Sequence, residues 1–266
     1  MQHTMNTEEL NIIGIIPARM GSKKFPGKPM ADINGMPMIG HVYNRMMRCE
    51  DFADVYVATD DQEIIDYITS IGGNCIKTKE SNIGAIDRVV EAVKAIEQIE
   101  KIRYDIVVLI QCDEPMVTSN HVGCAISPMI LEPELQVASL MAEITTDEIF
   151  RDPNEIKVVV DANNNALYFS REPIPSAVRG TNACPRLKLL GIDVFRRDFI
   201  EEFNSQAPSP LEITECIDLL RVLESGYLIR MSMTDEVTYS VNTPEELERV
   251  KRLMKDDYLV TKYLKK

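Results

Sequence analysis

Four cations, Arg19, Lys23, Lys24 and Lys28, fall within ten residues of one another in a stretch rich in Gly and Pro, ARMGSKKFPGKP. The stretch follows directly on a β-branched run, Ile12 to Ile16, that stops at Pro17. Exposed backbone N–H groups and point cations together suit a triphosphate, whose charge calls for both kinds of donor. The loop is neither a GxxxxGK[ST] loop nor a GxGxxG turn. A Lys/Arg run is ordinarily a solvated surface loop, but this one sits in an acidic chain. With 29 Lys+Arg against 42 Asp+Glu the net charge is −13, and the concentration of cations after the first strand reads as a binding loop. A second cluster, Gln111-Cys112-Asp113-Glu114-Pro115, closes the apolar run Ile106 to Ile110. A carboxylate there can hold Mg²⁺ beside substrate phosphates, or it can simply cap the next segment; the local sequence balances the two readings. Thr59-Asp60-Asp61 ends a third run. All three clusters lie at strand carboxyl ends, where open α/β sheets bind ligands.

The elements that must position these groups alternate. Ile12–Ile16, Val55–Ala58 and Ile106–Ile110 read as buried parallel strands. The spacing predicts helices over about Met38–Cys49, Gln62–Ile71 and Val89–Ile99, the second stopped by Gly72-Gly73. Repeated βαβ units of this kind make an α/β, doubly wound, mostly parallel, Rossmann-like sheet. Beyond residue 150 the pattern changes to shorter strands, Lys157–Val160, Ala166–Ser170 and Leu187–Val194, read as an antiparallel lobe over about 150–200 attached to the main sheet. Helices follow at Glu212–Glu224 and Pro244–Met254, the latter opened by Thr243-Pro244-Glu245-Glu246. No repeat or Pro/Ser-rich linker interrupts the 266 residues, so one unit is expected.

Composition excludes several functions. No run of eighteen apolar residues could span a membrane, and MQHTMNTEEL carries acids where an export signal carries cations. An acidic surface repels nucleic acid. Six dispersed cysteines with no CxxC pair make neither a disulfide framework nor a zinc site, and a cytoplasmic protein is expected. The histidines His3, His41 and His121 read as structural or exposed, and the 14 methionines as core filling.

The blocks IIPARMGSKKFPGKPMADINGMPMIGHV, VATDD, IQCDEP, ALYFSREPIP, SPLE and VNTPEELERV, in that order and spacing, resemble the 3-deoxy-manno-octulosonate (Kdo) cytidylyltransferases. The resemblance runs from about Ile12 to Met254. It implies a fold of the nucleotide-diphospho-sugar transferase type and a homodimer. It implies as well a Mg²⁺-dependent transfer of CMP from CTP to the anomeric hydroxyl of a sugar acid, with release of pyrophosphate. By the same resemblance Ala18, Arg19, Gly21, Ser22, Lys24 and Lys28 hold the nucleotide's phosphates, with Asp87 and Arg88 in the base-binding segment. Arg19 and Lys28 stabilise charge on the leaving pyrophosphate, and Asp113 and Asn242 stand at metal-ligand positions. Gln111, Arg171, Leu189, Glu212 and Leu219 occupy sugar-facing positions, Arg171 being the candidate partner of the substrate carboxylate. No side-chain nucleophile is needed, since positioning and electrostatics carry such a transfer.

The chain departs from the family pattern at several of these places. Asn242 replaces an Asp and offers a neutral oxygen to the metal. Gly84-Ala85-Ile86 replaces Ser-Gly-Thr and loses two hydroxyls; Leu189 replaces His, Leu219 replaces Gln, and Cys112 replaces Gly. Loss of polar partners from a sugar site can change discrimination by orders of magnitude. The two leucines therefore point to a less polar sugar acid, deoxy or N-acylated, ahead of Kdo itself or a chain without activity. A nucleotidyltransferase using another base or acceptor, and a non-catalytic nucleotide-binding homologue, are the remaining alternatives.

Overall fold

Ile12–Pro17 is buried at every residue and forms β1, the axis of the fold. The computed structural model describes residues 10–21, 25–82, 84–181, 183–236 and 238–264. After β1 come the two-residue ladder of β2 (Asp32–Ile33) and β3 (Met36–Pro37), helix α1 (Met38–Met46), β4 (Asp54–Thr59), α2 (Gln62–Ser70) and β5 (Cys75–Lys77). Next are α3 (Ala85–Glu100), β6 (Ile106–Ile110), α4 (Ser119–Leu131), β7 (Val137–Glu143) and α5 (Asp147–Arg151). The hairpin strands β8 (Lys157–Val160) and β9 (Ala166–Ser170) lead into β10 (Leu187–Arg196). The chain ends with α6 (Arg197–Asn204), α7 (Pro210–Glu215), α8 (Leu219–Glu224), β11 (Ile229–Met233), α9 (Pro244–Met254) and α10 (Tyr258–Tyr263). None of the described helices is long and apolar enough to cross a membrane.

The main sheet runs β11-β7-β10-β6-β1-β4-β5, with the β8–β9 hairpin branching from β10. β1 pairs in parallel with both β4 and β6, so the carboxyl ends of β1, β4 and β6 open on one edge of the sheet. Alternation along β1 divides its side chains between two cores. Ile13 and Ile15 join the layer built with α3, α6 and α8, while Ile12 and Ile16 join α1, α2 and α4 on the other face. Burial on both faces is why these strands read as unbroken apolar runs.

Three expectations are corrected. Leu187–Val194 extends to Arg196; its start, Leu187 and Lys188, pairs antiparallel with β8 of the lobe, but the strand as a whole lies inside the main sheet, antiparallel to both β6 and β7. Its side chains alternate between the two cores, so it is held like a central strand despite its short-strand signature. The helix expected over Glu212–Glu224 is two helices, broken where Cys216 turns left-handed at φ 53°. The helix expected from Val89 begins at Ala85, because the Asp87 carboxylate caps the Gly84 N–H at 3.1 Å. Helix α4, the strands β5, β7 and β11, and the short helices α5, α6 and α10 had no counterpart in the sequence reading. Gly123 and Pro128 obscure α4, whose start is fixed by Thr118: its hydroxyl accepts the His121 N–H at 3.3 Å.

Candidate active site

The first loop is held at both ends. The Met20 N–H donates to Asp61 at 2.8 Å, and the Thr59 hydroxyl in turn accepts the Asp61 N–H at 3.1 Å. The loop closes where the Gly27 N–H meets the Met20 carbonyl at 2.9 Å. Gly27 has φ 74°, a left-handed turn that a side chain would strain. A single 3₁₀ turn then begins at Lys28 and delivers its ammonium across the end of β6.

There the Lys28 ammonium forms an ion pair with Asp113 and donates to Asn242 Oδ1 at 3.3 Å. Asn242 reaches this point because the Val241 N–H donates to the Asp113 carbonyl at 2.9 Å. The start of α9 fixes it further: the Glu246 carboxylate accepts the Thr243 N–H at 2.9 Å, while the Thr243 hydroxyl accepts the Glu246 N–H at 3.2 Å. Burial lowers the Lys28 pKa and Asp113 raises it; the result is an upward displacement, so the group stays protonated. Two hard oxygens, from Asp113 and Asn242, thus face one cationic centre, the donor type that Mg²⁺ takes. Among the described residues no group of three His, Cys, Asp or Glu is placed to hold a metal ion, so a divalent ion at Asp113 and Asn242 would depend on substrate oxygens for its other ligands.

Behind this trio opens a cleft of about 380 Å³. Gln111, Asp113, Arg171, Leu189, Leu219, Asn242 and Ile86 all line it, gathering sugar-facing, metal and base-segment positions into one cavity. β10 bulges between Leu189 and Asp193 at this edge. Gly191 in the bulge lets Gln111 and Glu114 approach: a Cβ there would stand 2.9 Å from Gln111 Cβ.

Other expected residues have more specific places. Arg19 is exposed at the loop, near enough to Cys112 to act on its thiol, which burial nonetheless pushes up to about 12. Ala18 is buried, and its N–H is committed to the Ala58 carbonyl at 2.9 Å; Gly21 is exposed with open space around it. Ser22 and Lys24 lie outside the described residues. Arg88 is buried, paired with Asp60 and donating to the Thr78 hydroxyl at 2.7 Å and the Asn82 carbonyl at 3.2 Å. It braces the segment before α3, as Asp87 does by capping Gly84.

Arg171 lines the cleft while its guanidinium donates to the carbonyls of Glu215, Pro153 and Cys216 at 2.7, 3.0 and 3.1 Å. Those bonds fix its orientation and leave part of its five-donor capacity for a ligand. Glu212 does not line the cleft; its carboxylate accepts the Ser209 N–H at 3.0 Å and pairs with Arg221 at 3.0 Å.

The cleft also contains groups that the sequence reading missed. Asp193 and Asp218 line it, with their carboxyl groups pushed up by burial to about 7 and about 6. Glu114, raised by burial to about 7, accepts the Thr238 hydroxyl at 3.0 Å, and Glu155 pairs with Lys188 at 3.0 Å. The signal for Asp193 was present: a carboxylate two residues past a glycine in a strand, LKLLGIDVF, whose other polar residue is Lys188.

Residues 13–235 match the family model described as cytidylyltransferase. The 3-deoxy-manno-octulosonate cytidylyltransferase of Pelobacter propionicus is 37% identical over 254 residues, covering 91% of this chain and 96% of that protein. That of Geobacter sulfurreducens is 37% identical over 258 residues, with 92% and 100% covered. Among solved structures, a CMP:2-keto-3-deoxy-manno-octonic acid synthetase complexed with CTP is similar at 37% identity and TM-score 0.82, covering 92% of this chain and 98% of that one.

Proposed function

The chain belongs to the 3-deoxy-manno-octulosonate cytidylyltransferase family, and from that membership we propose that it transfers CMP from CTP to the anomeric hydroxyl of a 3-deoxy-2-keto sugar acid, releasing pyrophosphate. The observation that carries this reading is the meeting of Lys28, Asp113 and Asn242 at the mouth of a cleft that also holds Gln111 and Arg171. In this reading Arg19, Gly21, Ser22, Lys24 and Lys28 bind the triphosphate, and Ala18 supports the loop through its bond to Ala58. Lys28 and Arg19 stabilise negative charge as it develops on the leaving pyrophosphate. Asp113 and Asn242 would hold Mg²⁺, which when bound neutralises phosphate charge and increases the acidity of a nearby hydroxyl. Asp87 and Arg88 keep the base-binding segment in place. Arg171 takes the substrate carboxylate, Gln111 bonds a sugar hydroxyl, Leu189 and Leu219 supply apolar walls, and Glu212 acts through Arg221. Most of the rate comes from alignment of two bound substrates in a site that needs no covalent intermediate.

The altered leucine positions favour a sugar acid other than Kdo, with Kdo the second choice. A cytoplasmic location fits the six cysteines, all unpaired, and a homodimer fits the exposed Leu167 on the hairpin. The test is pyrophosphate release from each of the four NTPs with a panel of 3-deoxy-2-keto sugar acids. Release with CTP and at least one acceptor is expected. CTP binding without turnover on any acceptor supports the non-catalytic alternative.

A further inference from the structure

The acceptor cleft is acidic in an unexpected way. Its lining includes the carboxyl groups of Asp113, Glu114, Glu155, Asp193 and Asp218, against one cation, Arg171. Four of the five have partners in the fold: Asp113 has Lys28, Glu155 has Lys188, Glu114 has the Thr238 hydroxyl and Asp193 has the Ser139 hydroxyl. Asp193 and Asp218 do not have cations of their own among the described residues. Asp193 sits on the central strand β10, where the Ser139 hydroxyl meets one of its oxygens at 2.7 Å. Arg221, which acts electrostatically on Asp218, is committed to Glu212 at 3.0 Å.

The two carboxyls are close enough to repel each other, and burial holds both well above the usual carboxylate range. Leu109, Leu189, Ile217 and Leu219 line the same cleft, and the charged groups acting on Asp218 are Glu212, Arg221 and Asp87. Burying two acids beside an Arg221 that is already paired with Glu212 costs free energy. A cation bound beside them offsets their repulsion and part of the desolvation penalty. Arg171 stands in the same cleft for the opposite charge, so a zwitterionic acceptor is matched at two points.

We propose that the acceptor is an amino sugar acid, whose protonated primary amine is held by Asp193 and Asp218 while its carboxylate meets Arg171. The inference rests on the CMP-transfer reading and names the substrate class of that site. Asp193 and Asp218 then act as specificity-determining residues. A plain polyol acceptor brings them no cation.

The experiment compares matched acceptors, 3-deoxy-2-keto sugar acids with either a hydroxyl or a primary amine on one carbon distal to the carboxylate. Pyrophosphate release from CTP is followed at neutral pH. A charge-assisted hydrogen bond predicts that kcat/KM for the amine exceeds that for its hydroxyl twin by about 10- to 100-fold. Asp193→Asn brings that ratio toward one by raising KM for the amine. Asp218→Asn gives the same readout should the first variant fail to fold. Equal or better use of the hydroxyl twin, or a ratio unchanged in both variants, overturns the amine while leaving CMP transfer in place. Failure of every acceptor of either kind, with CTP bound, overturns the transfer reading and this inference with it.

Discussion

Replacing Asp193 by Asn tests how this buried acid is accommodated, through stability alone. The Asp193 carboxyl is raised by burial from 3.8 to about 7, with Asp218 adding to the rise and the Ser139 hydroxyl opposing it. An acid with a raised folded-state pKa contributes most favourably below the unfolded value. That contribution is lost progressively between about pH 4 and pH 7, because the unfolded chain ionises first. One pKa unit corresponds to about 1.4 kcal/mol, so the native protein carries a penalty of about 1.5 kcal/mol at pH 5 and about 4 kcal/mol at pH 8. Water at the open side of the cleft screens part of this, leaving about 2 kcal/mol between the two conditions. Asn has nearly the same shape, still accepts from Ser139, and does not titrate. Urea unfolding of both proteins at pH 5 and pH 8 gives the difference, in which Glu114 largely cancels because both proteins carry it. The variant's stability relative to the native chain should rise by about 2 kcal/mol over that range. A difference that stays flat from pH 5 to pH 8 refutes a strongly desolvated Asp193.

Lys28→Ala removes the cation shared by Asp113 and Asn242, and pyrophosphate release should fall about 100- to 1,000-fold in a variant that still folds, with a lowered melting temperature because Asp113 loses its partner. Unaltered turnover in the folded variant removes the triphosphate loop from the mechanism. Asn242→Asp adds a second negative ligand facing the same point, and calorimetry with Mn²⁺ in the presence of CTP should record about tenfold tighter binding; no gain shows that Asn242 is not a ligand. Gly191→Ala places a Cβ 2.9 Å from Gln111 and 3.0 Å from Glu114. It should cost about 1–3 kcal/mol in thermal stability and raise KM for the acceptor; an unshifted melting temperature would mean that the bulge yields freely.

How much of the site was legible follows from how local its causes are. The apolar runs at β1 and β6 are self-contained signals, because a central parallel strand is buried on both faces and has no polar side to interrupt the pattern. The Lys-rich loop, the Asp113 turn and the start of α9 were readable for the same reason. β10 was misplaced since a strand inside an antiparallel section of a mixed sheet has the same local pattern as a hairpin strand; only its partners β6 and β7 distinguish the two. The break at Cys216 escaped notice because a left-handed non-glycine residue leaves no compositional mark.

Residue types and their order determined the family, the phosphate loop and the strand ends where ligands gather. Tertiary structure alone decided that Lys28 meets Asp113 across 85 residues and Asn242 across 214. It also made Arg88 and Glu212 braces, and brought Asp193 and Asp218 from a strand and a helix break to the same cleft. The physical reason is that pairing between distant strands sets those distances, whereas a sequence window records only what each segment can bury.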